Sequence, residues 1–358
     1  MKRRLRILIC PFDWGLGHAS RCVPIIQTLL NLKQEVIVAA DNAPLSFLQQ
    51  QFPHIEFVRM PGFRPVYSKS NSQIMAMVRS IPKSLRSFRN DHFLLEQIIE
   101  NHHIDAVISD NRFGAWSRNV PCVFMTHQLH IQLPKSMKWA RPFVDFLNKW
   151  YIKHFDACWI PDFAEEPFLS GKLSFPHFRN ITSHRIGILS RFSNIQPKEK
   201  EQDIDLLIIL SGPEPQRSIL ENSILSQIDR SSGMVVLLRG LPDVSNKIDV
   251  PENICVLNHT DDNTFAELVC RAKKIVCRAG YSTIMDLIVL GRKTWLVPTP
   301  GQTEQEYLSD YVSTIFDFRS VKQNQFNLKK IEALNAPQKT TVNTNFLSHF
   351  LAQWLNSI

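Results

Sequence analysis

Hydrophobic positions along the chain alternate between short β-rich runs and longer stretches with helical period. In the first half, the runs predict strands at Leu5–Cys10, Glu35–Ala40, Ile55–Arg59, Ile104–Ser109, Cys122–Thr126 and Ala157–Ile160. Between these strands, the period predicts helices over Ala19–Leu32 and Phe93–Asn101. In the second half, strands are predicted at Asp205–Leu210, Met234–Arg239, Ile254–Leu257, Lys274–Cys277 and Thr294–Pro298. Runs such as LLIIL and MVVLL are apolar throughout, which is typical of parallel strands covered by helices on both faces.

This repeated alternation predicts an α/β protein with two tandem Rossmann-like domains, parallel sheets and a cleft between the domains. Residues 193–203 are polar and charged, include a proline and lack an apolar period, so they are the predicted linker. The N-terminal domain is then 1–192 and the C-terminal domain 204–340. The last residues, 341–358, are predicted to form a helix that packs back toward the N-terminal domain. Ligands of such sheets bind beyond the carboxyl ends of the strands.

The composition is that of an ordinary folded protein. Hydrophobic residues make up 44% of the 358 residues and charged residues 21%, which excludes disorder as the dominant state. No apolar run reaches the roughly 18–20 residues of a membrane span, and the short apolar start is predicted to be a strand and not a signal peptide. Seven scattered cysteines form no disulfide framework or metal spacing, which favours a reducing cytoplasm.

Positive charge is concentrated in the first half of the chain. Residues 1–200 carry 26 basic and 15 acidic side chains, whereas residues 201–358 carry 15 basic and 18 acidic side chains. The imbalance predicts an anionic partner such as a membrane surface, and no nucleic-acid recognition module is found. Within this half, 135–154 interleaves lysines and arginine with aromatic residues, which indicates peripheral contact with anionic lipid on the inner face of the cytoplasmic membrane. The alternative is a helix whose aromatic side chains pack inward.

The loop after the first strand contains Gly15 and Gly17, followed by His18. With Asp41 after the second strand, this G-x-G resembles a dinucleotide fingerprint, although Ser20 replaces the third glycine. A nicotinamide oxidoreductase therefore remains one alternative.

His18 is the candidate catalytic base. Its predicted place in the first turn of a helix disfavours the protonated imidazole, so His18 can accept a proton from a hydroxyl near neutral pH. Asp13 and Asp110 are candidates to orient it or balance its charge, Asp110 because it ends a predicted strand. The alternatives are a capping or packing histidine and, for Asp110, a helix cap.

The loops after the strands of the second half offer anion-binding geometry. Ser211 and Gly212 precede a helix that contains Arg217. Gly280 turns the chain before a second helix, whose N-terminal amides can bind a diphosphate. Further polar candidates follow in this helix and at the start of the next one: Ser282, Thr283, Asp286, Glu304, Gln305 and Glu306. Asp286 lies about one helical turn after Ser282 and can reach a ribose diol. Glu304, Gln305 and Glu306 offer the hydrogen-bonding groups that a polyhydroxylated sugar requires.

The segment RAGYSTIMDL followed by LVPTPGQTEQE resembles the C-terminal signature of glycosyltransferase family 28, and GLGHASR resembles its N-terminal glycine-rich loop. This family includes the peptidoglycan lipid-intermediate N-acetylglucosaminyltransferase. It has the GT-B fold, in which the C-terminal domain binds a UDP-sugar and the N-terminal domain receives the acceptor. The resemblance covers the whole chain, and its specific part is 278–306.

The resemblance implies roles for individual residues. Donor-diphosphate contacts fall on Arg278, Gly280, Ser282 and Thr283, with Ser211 and Gly212 on a second, less similar phosphate loop. Asp286 replaces the ribose-binding glutamate of the family, and Gln305 with Glu306 replaces a sugar-contacting Gln-Gln pair. His259 falls where backbone groups meet the uracil ring.

Together these observations predict an inverting, metal-independent glycosyltransferase that moves a sugar, a hexosamine by resemblance, from a UDP-sugar to a lipid-linked or saccharide acceptor. No metal site and no cofactor are predicted, since Asp203 and Asp205 spell D-x-D ahead of a strand. The alternatives are a nucleotide-sugar hydrolase that uses the same donor site and a non-catalytic nucleotide-sugar-binding subunit.

Overall fold

The protein is described here by a computed structural model. The described residues are 3–13, 15–62, 73–195, 201–229, 233–241, 244, 248–334 and 344–358. Residues 196–200 of the predicted linker and 341–343 of the predicted C-terminal segment lie outside them. The chain divides into two compact units: unit 1 comprises residues 1–190 and 342–358, and unit 2 comprises residues 191–341.

Unit 1 contains a seven-stranded sheet with the order β3-β2-β1-β4-β5-β6-β7, in which neighbouring strands are parallel. The strands are β1 Arg6–Pro11, β2 Glu35–Ala40, β3 Glu56–Arg59, β4 Ala106–Asp110, β5 Cys122–Met125, β6 Ala157–Ile160 and β7 Ser183–Arg185. The helices are α1 Gly17–Asn31, α2 Asn42–Gln51, α3 Gln73–His102 and α4 Arg141–Ile152, with 3-10 helices at Lys135–Ala140 and Gly171–Leu173.

Helices cover both faces of this sheet. In β1, Ile7 and Ile9 belong to the apolar core on one face, and Leu8 and Cys10 to the core on the other. Alternate side chains of a strand point to opposite faces, so an apolar strand such as RILICP requires cover on both sides. The central strands of the sheet are therefore internal, and its carboxyl edge carries the loops that can hold a ligand.

Unit 2 repeats the arrangement with a six-stranded sheet in the order β10-β9-β8-β11-β12-β13, again with parallel neighbours. The strands are β8 Ile204–Ile209, β9 Val235–Leu238, β10 Ile254–Leu257, β11 Ala272–Cys277, β12 Trp295–Leu296 and β13 Arg319–Ser320. The helices are α5 Gln216–Leu225, α6 Asp262–Arg271, α7 Tyr281–Val289 and α8 Thr303–Ile315, with 3-10 helices at Gln323–Gln325 and Leu328–Lys330.

The last helix, α9 Thr344–Ser357, is part of unit 1. Leu347 and Leu351 join the core that contains Ile7 and Ile9. The Trp159 ring of β6 makes edge contacts with Phe350 and Trp354, at centroid distances of 5.1 and 5.0 Å. A strand of the unit 1 sheet is thus covered by residues nearly two hundred positions further along the chain.

The predicted fold class is confirmed by the two parallel α/β sheets, while the cleft remains a prediction. Two helix predictions were wrong in their extent. The helix predicted over Phe93–Asn101 is the end of α3, which starts at Gln73. The segment 135–154 is a 3-10 helix followed by α4, with Pro142 at the start of α4, where a proline is tolerated. No helix among the described residues meets the length and hydropathy needed to cross a membrane.

Candidate functional site

The N-terminus of α7 presents backbone amides at the carboxyl edge of the unit 2 sheet. In the described structure, Gly280 precedes the helix, no side chain caps it, and its first turn holds no acidic residue. Gly280 has an ordinary φ of −77°, and a Cβ there would meet only Thr283 Oγ1 at 3.6 Å. Neither backbone conformation nor packing requires this glycine. Its missing side chain leaves room in front of a helix N-terminus, where amide groups favour negative charge.

Arg278 lies fully buried at the base of this loop. Its Nη2 donates to the carbonyl of Gln216 at 2.6 Å, and its Nη1 donates to the carbonyl of Val297 at 3.2 Å. Burial lowers the pKa of Arg278 to about 10, with only the Cys277 thiol opposing the shift among the described residues. Arg278 therefore ties three loops together and places a cation without a carboxylate partner behind α7.

The loop before α5 differs from the loop before α7. Gly212 has a left-handed φ of +96°, and a Cβ there would lie 3.7 Å from Oγ1 of Thr299. Arg217 is buried between two carboxylates, with Glu214 at 2.6 Å and Glu221 at 3.1 Å. Glu214 also accepts a hydrogen bond from the Ser218 amide. The start of α5 thus already has its own negative charge, and the guanidinium of Arg217 is held by these structural ion pairs.

The start of α8 is folded back on the loop that precedes it. Oε1 of Gln305 accepts a hydrogen bond from the Thr299 amide, and Oε1 of Glu306 accepts one from the Gly301 amide, both at 2.9 Å. Gln305 is buried and Glu306 exposed, with Glu304 half-buried beside them. Gln305 and Glu306, the predicted sugar-contacting pair, therefore each use one side-chain oxygen in a hydrogen bond that shapes the loop before α8.

Asp286 is nearly buried on α7, at 6% exposure. Its Oδ2 lies 4.0 Å from Nε of Arg191, while Nη1 of Arg191 lies 2.9 Å from Oδ1 of Asp262. The guanidinium of Arg191 is also 4.8 Å from the Phe192 ring centroid. His259 is exposed in the loop that joins β10 to α6. The acidic residue predicted to contact ribose is therefore close to an arginine that the sequence did not single out.

In unit 1, a buried polar cluster forms where α1 begins and β4 ends. Nδ1 of His18 lies 3.1 Å from Oδ2 of Asp110. Arg21, one helical turn after His18, donates through Nε to Asp110 Oδ2 at 2.8 Å, and its Nη2 contacts both Asp110 and His18. Nη1 of Arg21 lies 3.2 Å from Nδ1 of His127. Because β1 and β4 are adjacent and parallel, the loop after β1 meets the end of β4.

The charges of this cluster stabilise a carboxylate beside a neutral imidazole. Burial, followed by the Arg21 cation, lowers the pKa of His18 below 6.5, and Asp110 opposes the shift. Burial alone would raise the pKa of Asp110, but Arg21 and His18 lower it below its usual value. The pKa of His18 is thus lowered, as predicted, and burial and Arg21 are the largest causes. An imidazole of this kind can accept a proton near neutral pH.

The other residues predicted in this loop have separate environments. Asp13 is buried, and its Oδ2 accepts a hydrogen bond from Nδ2 of Asn42 at 3.1 Å. Gly15 has a φ of +65°, and nothing lies within 4 Å of the Cβ position. Gly17 is the first residue of α1. The backbone of the turn before α1 thus requires a glycine at position 15. This indicates a structural role for Gly15, the first glycine of the G-x-G.

Besides Arg191, sequence reasoning missed three polar residues of these clusters: Arg21, His127 and Thr299. A signal existed for each. Arg21 stands three positions after His18, on the same helix face. His127 and Thr299 follow β5 and β12 closely, at the carboxyl edge where ligands bind.

The chain was compared with known proteins. Residues 243–339 match the model of the glycosyltransferase family 28 C-terminal domain. An uncharacterized glycosyltransferase of Methanosarcina mazei is 22% identical over 324 residues, which cover 85% of this chain and 81% of the relative. Among solved structures, the calicheamicin glycosyltransferase CalG4 has a TM-score of 0.65 at 13% identity, covering 99% of this chain and 98% of that chain. MurG of Acinetobacter baumannii has a TM-score of 0.54 at 13% identity, and the match covers 98% of this chain and 91% of the MurG chain.

The two parallel sheets and these matches define a glycosyltransferase with the GT-B fold. The match of residues 243–339 to the family 28 C-terminal domain model includes 278–306, the segment that carried the resemblance. At 13% identity, the likeness to CalG4 and MurG concerns the fold.

Proposed function

We propose that this glycosyltransferase moves a hexosamine from a UDP-sugar to a hydroxyl of a lipid-linked or saccharide acceptor, with inversion and without a metal ion. Unit 2 binds the donor and unit 1 receives the acceptor. The observation that carries the proposal is the pairing of an uncapped α7 N-terminus with the buried, uncompensated cation of Arg278. A buried charge is costly without a partner, and a diphosphate supplies the missing negative charge.

The same groups assist the departure of the leaving group. When the bond between the anomeric carbon and the diphosphate oxygen breaks, negative charge grows on UDP. The α7 amides and Arg278 are fixed before the reaction, so they stabilise this charge without reorganising. Fixed donors of this kind are typically the largest contribution to catalysis.

Transfer also requires removal of a proton from the acceptor hydroxyl. As the acceptor oxygen attacks the anomeric carbon, its proton passes to Nε2 of His18, and displacement from the face opposite UDP inverts the anomeric centre. For this, Nδ1 of His18 must carry a proton and donate it to Asp110. Arg21 can only donate, so its contact with Nδ1 favours the opposite tautomer. We assign the Nδ1 proton to the Asp110 contact because Asp110 is ionised and can accept from His18 and Arg21 together.

We also propose that unit 1 contacts an anionic membrane through an aromatic stripe formed by Trp139, Phe143, Phe146 and Trp150. Phe143, Phe146 and Trp150 share one face of α4 by their spacing of three and four residues, and Trp139 lies in the 3-10 helix that precedes α4. Trp139 is 80% exposed, and Phe143 and Phe146 are each 63% exposed. The interpretation that these aromatics pack inward is therefore wrong for the stripe, although Tyr151 does pack against Phe88.

Basic side chains frame the stripe. Lys135, Lys138 and Lys153 are exposed around it, whereas Asn148 and Ile152 anchor the opposite face of α4 in unit 1. Aromatic rings with a lysine rim match the boundary between headgroups and acyl chains of an anionic bilayer. Such a surface suits an enzyme whose acceptor is lipid-linked.

The experiment is a thermal-shift panel of nucleotides and nucleotide sugars, followed by product analysis with lipid and saccharide acceptors. A true donor raises the melting temperature in proportion to its occupancy. We expect UDP and a UDP-hexosamine to stabilise the protein, and sugar to appear on an acceptor hydroxyl with the anomeric configuration inverted. Release of free sugar without an acceptor would instead identify a hydrolase, and binding without turnover a non-catalytic subunit.

A further inference from the structure

We infer that Thr299 is a donor-binding residue whose hydroxyl donates a hydrogen bond to a phosphate oxygen of the nucleoside diphosphate; this inference rests on the proposed function. Thr299 is 1% exposed, yet its Oγ1 has no hydrogen-bond partner among the described residues. A buried hydroxyl without a partner loses its hydrogen bonds to water and gains none in return. Such a group is expected to have a partner that the protein alone does not supply.

The position of Thr299 places the expected hydrogen-bond partner of its hydroxyl at the loops after β8 and β11, which we propose to bind the diphosphate. Cys277 and Leu296 are paired in the register of β11 and β12. Gly280 lies three residues after Cys277, and Thr299 lies three residues after Leu296. Both therefore belong to loops that leave the carboxyl edge of the sheet side by side.

Thr299 also reaches the loop on the other side of β11. Its Oγ1 lies 3.7 Å from the Cβ position at Gly212, which follows β8. Residues around it already hold its backbone in place, since the Thr299 amide donates to Gln305 Oε1 and Arg278 donates to the carbonyls of Val297 and Pro298. The backbone that carries the hydroxyl is thus held in place, and the hydroxyl faces Gly212, whose missing side chain leaves space for a ligand. A hydroxyl donor, two glycines and a nearby cation together fit a diphosphate.

The test is calorimetric titration of UDP into the full-length protein and the variant Thr299→Val. Valine keeps the shape of threonine but removes the donor. We expect the dissociation constant for UDP to rise about tenfold or more, the usual effect of losing a hydrogen bond to a charged group. Without ligand, the melting temperature of the variant should be unchanged or higher, because the substitution removes an unpartnered buried polar atom.

Two further variants make the result specific. Thr299→Ser keeps the hydroxyl and should bind UDP within about threefold of the wild type. Thr294→Val is the matched control, since Oγ1 of buried Thr294 donates to the Ile275 carbonyl at 2.9 Å. It should lower the melting temperature and leave the UDP affinity unchanged.

Unchanged UDP affinity in Thr299→Val, or a lower melting temperature without ligand, overturns the role of Thr299 and leaves the proposed function intact. If the wild-type protein itself binds no nucleoside diphosphate, the proposed function fails, and the inference about Thr299 fails with it.

Discussion

Nδ1 of His18 lies 3.1 Å from Oδ2 of Asp110, although 92 residues separate them in the chain. The contact exists because β1 and β4 are neighbours in a parallel sheet, so the loop that starts α1 meets the last residue of β4. Asp110 is fully buried, and the neighbouring Arg21 guanidinium and His18 lower its pKa and so keep it ionised. The pair is therefore a preorganised acceptor for a proton, with its counter-charge already in place.

Replacement of His18 should abolish transfer and spare donor binding. In His18→Gln the side chain stays polar and of similar size, but it no longer accepts a proton at neutral pH. We expect kcat to fall about 10²–10⁴-fold, the usual contribution of a general base. The dissociation constant for UDP should stay within about twofold, because the proposed diphosphate contacts belong to unit 2. Lost UDP affinity with unchanged turnover of bound donor would contradict the role of His18.

The dependence of transfer on pH follows from the lowered pKa of His18. Burial and Arg21 lower this pKa below 6.5, so the imidazole is neutral at pH 7 and becomes protonated only in more acidic solution. We expect kcat/KM to fall as the pH drops through a midpoint below 6.5, and to be flat from there to neutral pH. Nitrogen NMR of the His18 ring should show the same midpoint and a proton on Nδ1. An acid limb centred above 6.5 would contradict the assignment.

Adding a methyl group at Gly280 should raise the stability of the fold and weaken donor binding. The backbone there has a φ of −77° and a ψ of 135°, which alanine adopts readily, and a Cβ would contact only Thr283 Oγ1 at 3.6 Å. Gly280→Ala should therefore fold normally and gain about 0.4–1 kcal/mol through a less flexible unfolded chain. Because the methyl group fills space reserved for the diphosphate, the UDP affinity should fall at least tenfold by calorimetry.

Gly15→Ala is a useful contrast to Gly280→Ala. Gly15 has a φ of +65°, where an alanine is strained, so this variant should lose stability without losing UDP affinity. If both variants lose only stability, Gly280 has a structural role and the donor site lies elsewhere.

Membrane contact should depend on the aromatic stripe. Co-sedimentation with vesicles of anionic phosphatidylglycerol should retain the wild-type protein, and high salt should weaken binding because part of the attraction is electrostatic. The triple variant Trp139→Ser, Phe143→Ser, Phe146→Ser should bind at least tenfold more weakly. The control replaces Ile219 and Ile315, which are exposed by 46% and 45% in unit 2, with serine. Equal binding by both variants would exclude the stripe as the contact.

The fold could be predicted from sequence because its signals are local. Apolar runs such as RILICP and IDLLII specify internal parallel strands, and the glycines at 212 and 280 mark the loops after them. The strand β13 was missed because Arg319–Ser320 is a two-residue edge strand with no apolar run. The register between distant strands, which brings His18 to Asp110, is a property of the assembled sheet.

Residue type alone does not separate the roles of the predicted site residues. Arg278 and Arg217 both looked like diphosphate ligands, but Arg217 is neutralised by Glu214 and Glu221. Arg278 has no such carboxylate among the described residues. Gln305 and Glu306 accept hydrogen bonds from their own loop, and the Thr299 hydroxyl has no hydrogen-bond partner in the described part of the chain. Sequence spacing carries no information about which polar groups pair with each other once the chain is packed.

The most direct test of the account is a crystal structure of the protein with UDP bound. We predict that the diphosphate lies over the first turn of α7, beside Gly280, with a phosphate oxygen within hydrogen-bond distance of the Thr299 hydroxyl. A diphosphate bound instead at the Gly15–Gly17 loop, or at the start of α5 in place of the Glu214 carboxylate, would contradict the assignment of α7 as the donor site.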